Sequence, residues 1–494
     1  MDNQKKCVEE INCLNRWRRY QSTLSFILFV ATKKLFPDSH LRIEHSISQG
    51  FYCLLNRKLI DKDLMAIDLR MREIIRANLS IERFTLSRSR AIKLFERNNQ
   101  RDKVKLLRSI NIEKINVYRL DKYFDMYPNP PFEKTGMVDK FYLTNFPPGF
   151  IIVFPNWQNL DSLPPYIPQP KLARIFNEYL NWVQILGITD VADLNRAIKN
   201  GQGADIIRVA EALHEKKIVY IADRITSDKR KVVLIAGPSS AGKTTFTKRL
   251  AVQLMVNGFR PILISTDDYF LPHSRTPKDK FGRLDFESIR AVDIELLNKH
   301  LLSIIRGEEV TLPRFNFIKG KREKGRTVRL PKNGIVMVEG IHCLNEDLTP
   351  HIPKNLKFKI YISALTQLNI DDHNRISTTD TRMMRRIVRD THYRGYTVQG
   401  VLTQWGRVRA GEEQNIYPFQ EEADEMFNSA LIYESAVLKK YCVPLLKKVE
   451  KSDPFYPEVK RLLDYFALFS DLNDRDVPSN SILREFIGGS SFVY

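Results

Sequence analysis

VVLIAGPSSAGKTTFTKRLAVQLM, residues 232–255, is the stretch that decides the fold. Its first five residues are apolar without alternation, which predicts a strand buried on both faces, as in parallel sheets. The strand leads into Gly237-Pro-Ser-Ser-Ala-Gly242-Lys243-Thr244, the spacing G-x-x-x-x-G-K-[ST], and then into a stretch that reads as a helix. In that context the glycines let backbone N–H groups face a phosphate, and the helix start adds its positive end. The expected triphosphate contacts are Gly237, Ser239, Ser240, Ala241, Gly242, Lys243, Thr244 and Thr245. Lys243 is expected to reach the β- and γ-phosphates of a nucleoside triphosphate, and the Thr244 hydroxyl to ligate Mg²⁺.

Three further apolar runs follow: ILIS at 262–265, IVMV at 335–338 and FKIYIS at 358–363, with helical stretches between them. Strands alternating with helices predict an α/β domain, a doubly wound parallel sheet of the P-loop type. Its chemistry is expected beyond the carboxyl ends of the strands. Asp267 is the first acidic residue past the second run, and phosphoryl transfer to a hydroxyl needs a base to accept and align its proton there. Asp268 is a capping candidate. Glu339 ends the third run, where a carboxylate holds magnesium directly or through water. Arg382, Arg385, Arg386 and Arg389 fall on one helical face, with Arg394 after them. They are expected to form a lid that closes on phosphate oxygens.

Proline marks the organisation before this domain: YPNPP at 127–131, Pro147-Pro148, then Pro164, Pro165, Pro168 and Pro170. Beyond them Leu172, Ile175, Phe176, Tyr179, Leu180, Val183 and Leu186 keep helical spacing, with Gly187 as the stop. We divide the chain into 1–160, a helical connector over 161–227, the P-loop domain over 228–450 and a tail over 451–494. The run LSFILFVA, 24–31, follows three arginines and suggests a signal peptide. Lys33 and Lys34 come next and no small-residue cleavage site does, so a buried helix is the better reading.

Lys and Arg number 78 against 58 Asp and Glu, a net charge of +20, which points to anionic partners such as nucleotides or RNA. Five scattered cysteines without a C-x-x-C pair argue against a disulfide framework or a structural zinc site, and for a reducing cytoplasm. No 18-residue uncharged apolar stretch appears, so no membrane partner is expected.

Residues 230–450 resemble the uridine kinase and phosphoribulokinase family. GPSSAGKTT, STDDYF, FGRLDFESIRAVDIELLNKHL, LPRFNF, VEGIHCLN and DTRMMRRIVRDTHYRG carry the likeness in order. The resemblance implies transfer of the ATP γ-phosphate to a sugar hydroxyl, the 5′-hydroxyl in nucleoside kinases. It makes Asp267 the catalytic carboxylate, Asp285 the grip on the ribose hydroxyls and Glu339 the acid near Mg²⁺. It places Arg385, Arg386, Arg389 and Arg394 in the lid and substrate-phosphate region. The base-contacting Tyr and His of pyrimidine-specific members are replaced: the stretch here is Pro313-Arg314-Phe315-Asn316-Phe317, and Gly320 stands where the His would fall. Phe315 can stack on a base but offers it no hydroxyl.

Residues 20–150 resemble the second additional domain of threonyl-tRNA synthetases, an α+β editing domain. LFPDSHLRIEHSISQGFYCLL, DLMAIDLRMREIIRANLSIERFTLSRSRAIKLF and VYRLDKYFDMYPNPPFEKTG carry this likeness. The editing residues fall on Ser22, Phe26, Tyr127 and Pro131, none fit for that work, so the domain reads as inactive in editing. RNA contact through it is one expectation; the resemblance also implies a homo-oligomer. The sequence thus reads as an ATP- and Mg²⁺-dependent nucleoside kinase, with Lys243, Asp267, Arg386 and Arg389 catalytic. The rivals are an ATP-switched RNA-binding or regulatory protein and a kinase of a phosphorylated sugar.

Overall fold

A computed structural model describes residues 2–279, 282–366 and 368–493. A 34-residue helix, Asp2–Leu35, opens the chain. Residues 24–31 lie inside it and all eight are buried, so this run is core. The helix packs with Asp61–Arg76 beside an antiparallel sheet whose strands run in the order Leu41–Ile47, Gly50–Leu55, Gly149–Val153, Tyr142–Phe146. A smaller sheet joins Ile81–Ser87, Lys114–Leu120 and Tyr123–Asp125. The N-terminal part is therefore mixed α+β.

Three helices follow: Pro170–Leu186, Val191–Lys199 and Gly203–Ser227. The first ends at Gly187, whose φ of 64° closes it in the left-handed region. Its buried stripe of Leu172, Ile175, Phe176 and Tyr179 packs on the core of the following domain with Val232, Leu234 and Val338.

The P-loop domain is a five-stranded sheet in the order Glu425–Asn428, Lys357–Ser363, Val232–Ala236, Gly334–Glu339, Arg260–Ser265, all parallel. The first strand in sequence is central, and successive strands add to its two sides, so the order reverses beside it. That is the switch point at which doubly wound sheets bind ligands. Every residue of Val232–Ala236 and Lys357–Ser363 is buried. An antiparallel hairpin, Val310–Asn316 with Lys321–Val328, stands off the sheet.

A short ribbon, Asn369–Asp371 with Asn374–Arg375, joins the two halves. Lys103 of the N-terminal half is fully buried, with Nζ 2.9 Å from Asp125 and 2.6 Å from the ribbon's Asp371. Burial alone would lower its pKa, but Asp125, Asp371 and Asp102 outweigh that and raise it. His373 Nδ1 lies 2.7 Å from Asp125, and Asn374 Nδ2 donates to the Met126 carbonyl at 2.8 Å. The ribbon thus lies against the residues that align with the editing site. Phe26 is fully buried with its ring 5.5 Å from that of Tyr127, whose hydroxyl donates to Asp125 at 2.8 Å.

Candidate active site

Register brings the candidate residues to one level. Glu339 is the strand partner of Ile235 on one side and of Ser265 on the other. The loop after Ala236, the carboxylate of Glu339 and the turn holding Asp267 therefore leave the sheet side by side. Gly242, with φ 84°, starts the helix Lys243–Val256, and a Cβ there would overlap Ile482 of the tail. Lys243 Nζ donates to the carbonyls of Gly237 at 2.8 Å and Pro238 at 3.2 Å, folding back over its own loop. Burial lowers its pKa, against Glu339, Asp267, Glu485 and Glu412.

The Thr244 hydroxyl lies 3.3 Å from Glu339. Burial pushes the Glu339 carboxyl up to about 7, with Lys243 opposing and Glu485 and Asp267 adding. Thr244 and Glu339 form an all-oxygen donor pair suited to a hard dication, and an acid whose ionisation such a cation would favour. The residues present thus fit Mg²⁺. Asp267 is accessible in the cleft, yet the surrounding protein raises its carboxyl above the ordinary aspartate value, against the pull of Lys243. Asp268 accepts from the Phe315 amide at 3.2 Å and ties the hairpin to this turn. Asp285 accepts from the Glu287 amide at 3.1 Å in the loop that follows.

The arginine helix is Thr378–Tyr393, and its four arginines part ways. Arg382 is fully buried and grips Glu412 and the Ser239 carbonyl. Arg385 is also fully buried, paired with Glu434 and donating to the Ser429 carbonyl at 2.8 Å. Its guanidinium faces the core. Arg386 reaches the phosphate loop, donating to Ser239 Oγ at 2.9 Å. Arg389 and the more exposed Arg394 gather on Asp390, at 2.7 and 3.6 Å.

Four further groups complete the site. Glu412 accepts from the Ser239 amide at 2.9 Å. Glu485, in the short helix Arg484–Ile487, accepts from the Thr245 amide at 3.2 Å and hydroxyl at 2.7 Å. Phe486 packs under Arg385, whose cation sits 5.0 Å from the ring. His273 stands against Gly320, where a Cβ would overlap its imidazole, so a histidine does occupy the neighbourhood of that glycine. Its ring meets those of Phe286 and Phe315, and Phe315 meets Phe270; Phe315 is buried, whereas Phe317 is 58% exposed. The signal available for Glu485 was one acid amid Ile482, Leu483, Phe486 and Ile487; nothing in the sequence singles out His273.

Glu287, half-buried behind the loop, is raised to about 7 by burial and by Glu412, with Arg386 and Lys243 opposing. Its folded state holds a proton that the unfolded chain releases near 4.5. Its contribution to stability is therefore full below about pH 4.5 and lost as pH rises through about 7. Glu287→Gln is expected to match the parent near pH 4.5 and to exceed it increasingly up to about pH 7, by roughly 2 kcal/mol. Thermal unfolding of both proteins across that range checks this; a constant gap would refute it.

Residues 232–432 match the model of the Phosphoribulokinase / Uridine kinase family. Uridine kinase of Halobacterium salinarum is 28% identical over 191 residues, 38% of this chain and 76% of that protein. Threonine–tRNA ligase of Acetivibrio thermocellus is 38% identical over 127 residues, 25% of this chain; the match spans only 20% of the ligase. Among solved structures, one described as a possible uridine kinase from Bacillus stearothermophilus aligns over 43% of this chain and 98% of its own, at 18% identity and a TM-score of 0.29. No helix among the described residues is long and apolar enough to cross a membrane.

Proposed function

We propose that this chain, built around a phosphoribulokinase/uridine kinase family domain at 232–432, an ATP-dependent kinase domain, phosphorylates a nucleoside on its ribose 5′-hydroxyl. One observation carries the reading: three adjacent strands end level, so the phosphate loop, Glu339 and Asp267 leave the sheet side by side, with an aromatic cluster of Phe270 and Phe315 beyond Asp267. Lys243 and the loop amides hold the triphosphate. Asp267 accepts the proton of the acceptor hydroxyl and keeps its oxygen in line, while Asp285 orients the sugar. Arg386 and Arg389 oppose the charge that builds on the transferring group, and Arg394 waits at the rim. Arg385 serves by holding the helix that carries them. Thr244 and Glu339 would hold Mg²⁺, which supplies charge neutralisation on the phosphates.

ADP release from ATP and Mg²⁺, measured against a panel of nucleosides and sugar phosphates, tests the reading. Stimulation by a nucleoside is the expected result. Stimulation only by a sugar phosphate would move the acceptor class. None at all, with ATP still bound, would overturn the small-molecule kinase and favour an ATP-switched RNA binder. In that assay His273→Ala is expected to raise the acceptor KM about tenfold with kcat nearly kept, the loss of one hydrogen bond to a base. An unchanged KM would remove His273 from the pocket.

A further inference from the structure

A second cleft, of about 610 Å³, opens between the N-terminal domain, the connector and the start of the arginine helix. It is apart from the phosphate loop, and its volume suits a drug- or nucleotide-sized ligand. Its walls hold two arginines with very different surroundings. Arg409 is well supplied: Glu413 lies 3.5 Å away, and Trp157 and Trp17 lie 5.2 and 5.8 Å from the guanidinium. Arg375 is not. Among the described residues it has no carboxylate within ion-pair distance, and its Nε is buried without a hydrogen-bond partner. Among the described residues its guanidinium makes one hydrogen bond, a 3.5 Å approach to the Ile376 carbonyl, and it lies over the Phe51 ring at 4.7 Å. A partly buried guanidinium with no carboxylate in contact is costly unless something supplies a partner. Burial lowers it to about 10, against the more distant Asp380.

The same wall carries the start of a 16-residue helix. Ser377 is its N-cap, but its side chain makes no capping bond, and Ser377, Thr378 and Thr379 all line the cleft. Uncapped N–H groups and the positive helix end favour an anion at that point. The nearby carboxylates are already engaged: Asp380 by Arg461 and Arg18, Glu413 by Trp157 and Arg409. Trp17, Trp157, Tyr361 and Tyr417 also line the cleft.

We propose that this cleft is a second ligand site that takes a nucleoside phosphate, with its phosphate on Arg375 and the start of helix 378–393 and its base against Trp157. The ligand lies at the root of the helix that brings Arg386 to the phosphate loop, so its binding is coupled to the kinase cleft. Arg375 belongs to the ribbon that the N-terminal domain clasps, which gives that domain a part in the site. The inference does not depend on which acceptor the kinase uses.

The test uses the full chain carrying Lys243→Ala, so that the phosphate loop contributes little binding. Calorimetric titration with UMP, AMP, UTP and inorganic phosphate is compared in that background with and without Arg375→Gln. The expected result is saturable binding of at least one nucleotide, weakened tenfold or more by Arg375→Gln, one charge-assisted contact. Loss of the accompanying tryptophan fluorescence change in Trp157→Phe, with binding retained, is also expected. Thermal stability of Arg375→Gln should equal or exceed that of the parent, because a partly buried charge with no carboxylate in contact is removed. Equal affinity with and without Arg375, no binding by any probe, or a less stable Arg375→Gln without a binding change would each overturn the proposal and leave Arg375 a packing residue.

Discussion

Asp267→Asn is expected to lower kcat by roughly 10²- to 10⁴-fold while ATP binding stays within a few-fold of the parent. The amide keeps the shape of the carboxyl and its place after the strand Arg260–Ser265, but it cannot accept the proton of the acceptor hydroxyl. The surrounding protein raises the carboxyl of Asp267 above the ordinary aspartate value, against the pull of Lys243. The acid limb of the parent's pH profile should therefore lie above the value of a free aspartate, and that limb should vanish in the variant. Single-turnover measurements with saturating ATP and acceptor separate this from a binding defect. A variant that keeps more than a tenth of the parent rate would show that Asp267 is not the base.

Lys103→Met is expected to destabilise the protein by about 3–5 kcal/mol, the cost of leaving buried carboxylates without their cation. Asp125 and Asp371 are both buried and both lie within 3 Å of the ammonium. Methionine fills the space but supplies no charge. Adding Asp371→Asn to Lys103→Met should recover part of the loss, because one of the stranded charges goes with it. Denaturant unfolding of the two variants checks both statements. A loss below about 1 kcal/mol would mean that water reaches the network.

Much of the kinase half was legible in the sequence because its strands are continuous apolar runs and its loop has fixed spacing. VVLIA, IVMV and FKIYIS each lie within a strand. The edge strand Glu425–Asn428 was not read, since EMFN is four residues long with a charge at its start. The hairpin at 310–328 was missed for a related reason: KREKGRTV carries its charges on an exposed edge and shows no apolar rhythm. Spacing put four arginines on one face, but it could not say which would be met by a carboxylate from elsewhere. Glu412 and Glu434, 30 and 49 residues further on, take Arg382 and Arg385 into the interior. The ribbon at 369–375 was invisible because NIDDHNR reads as a polar turn. Its aspartate is buried only because Lys103, 268 residues away, is brought to it.

The tail's grip on the phosphate loop changes what an ATP affinity means for this protein. Glu485 holds the amide and hydroxyl of Thr245, the same donors assigned here to the nucleotide. Two anions cannot share them, so a nucleotide that takes these donors would bind by displacement, with an internal competitor at fixed effective concentration that must first let go. The apparent dissociation constant is then the intrinsic one divided by the fraction of molecules whose tail is released. Anything that steadies or loosens residues 479–493 would tune ATP response without touching the loop itself.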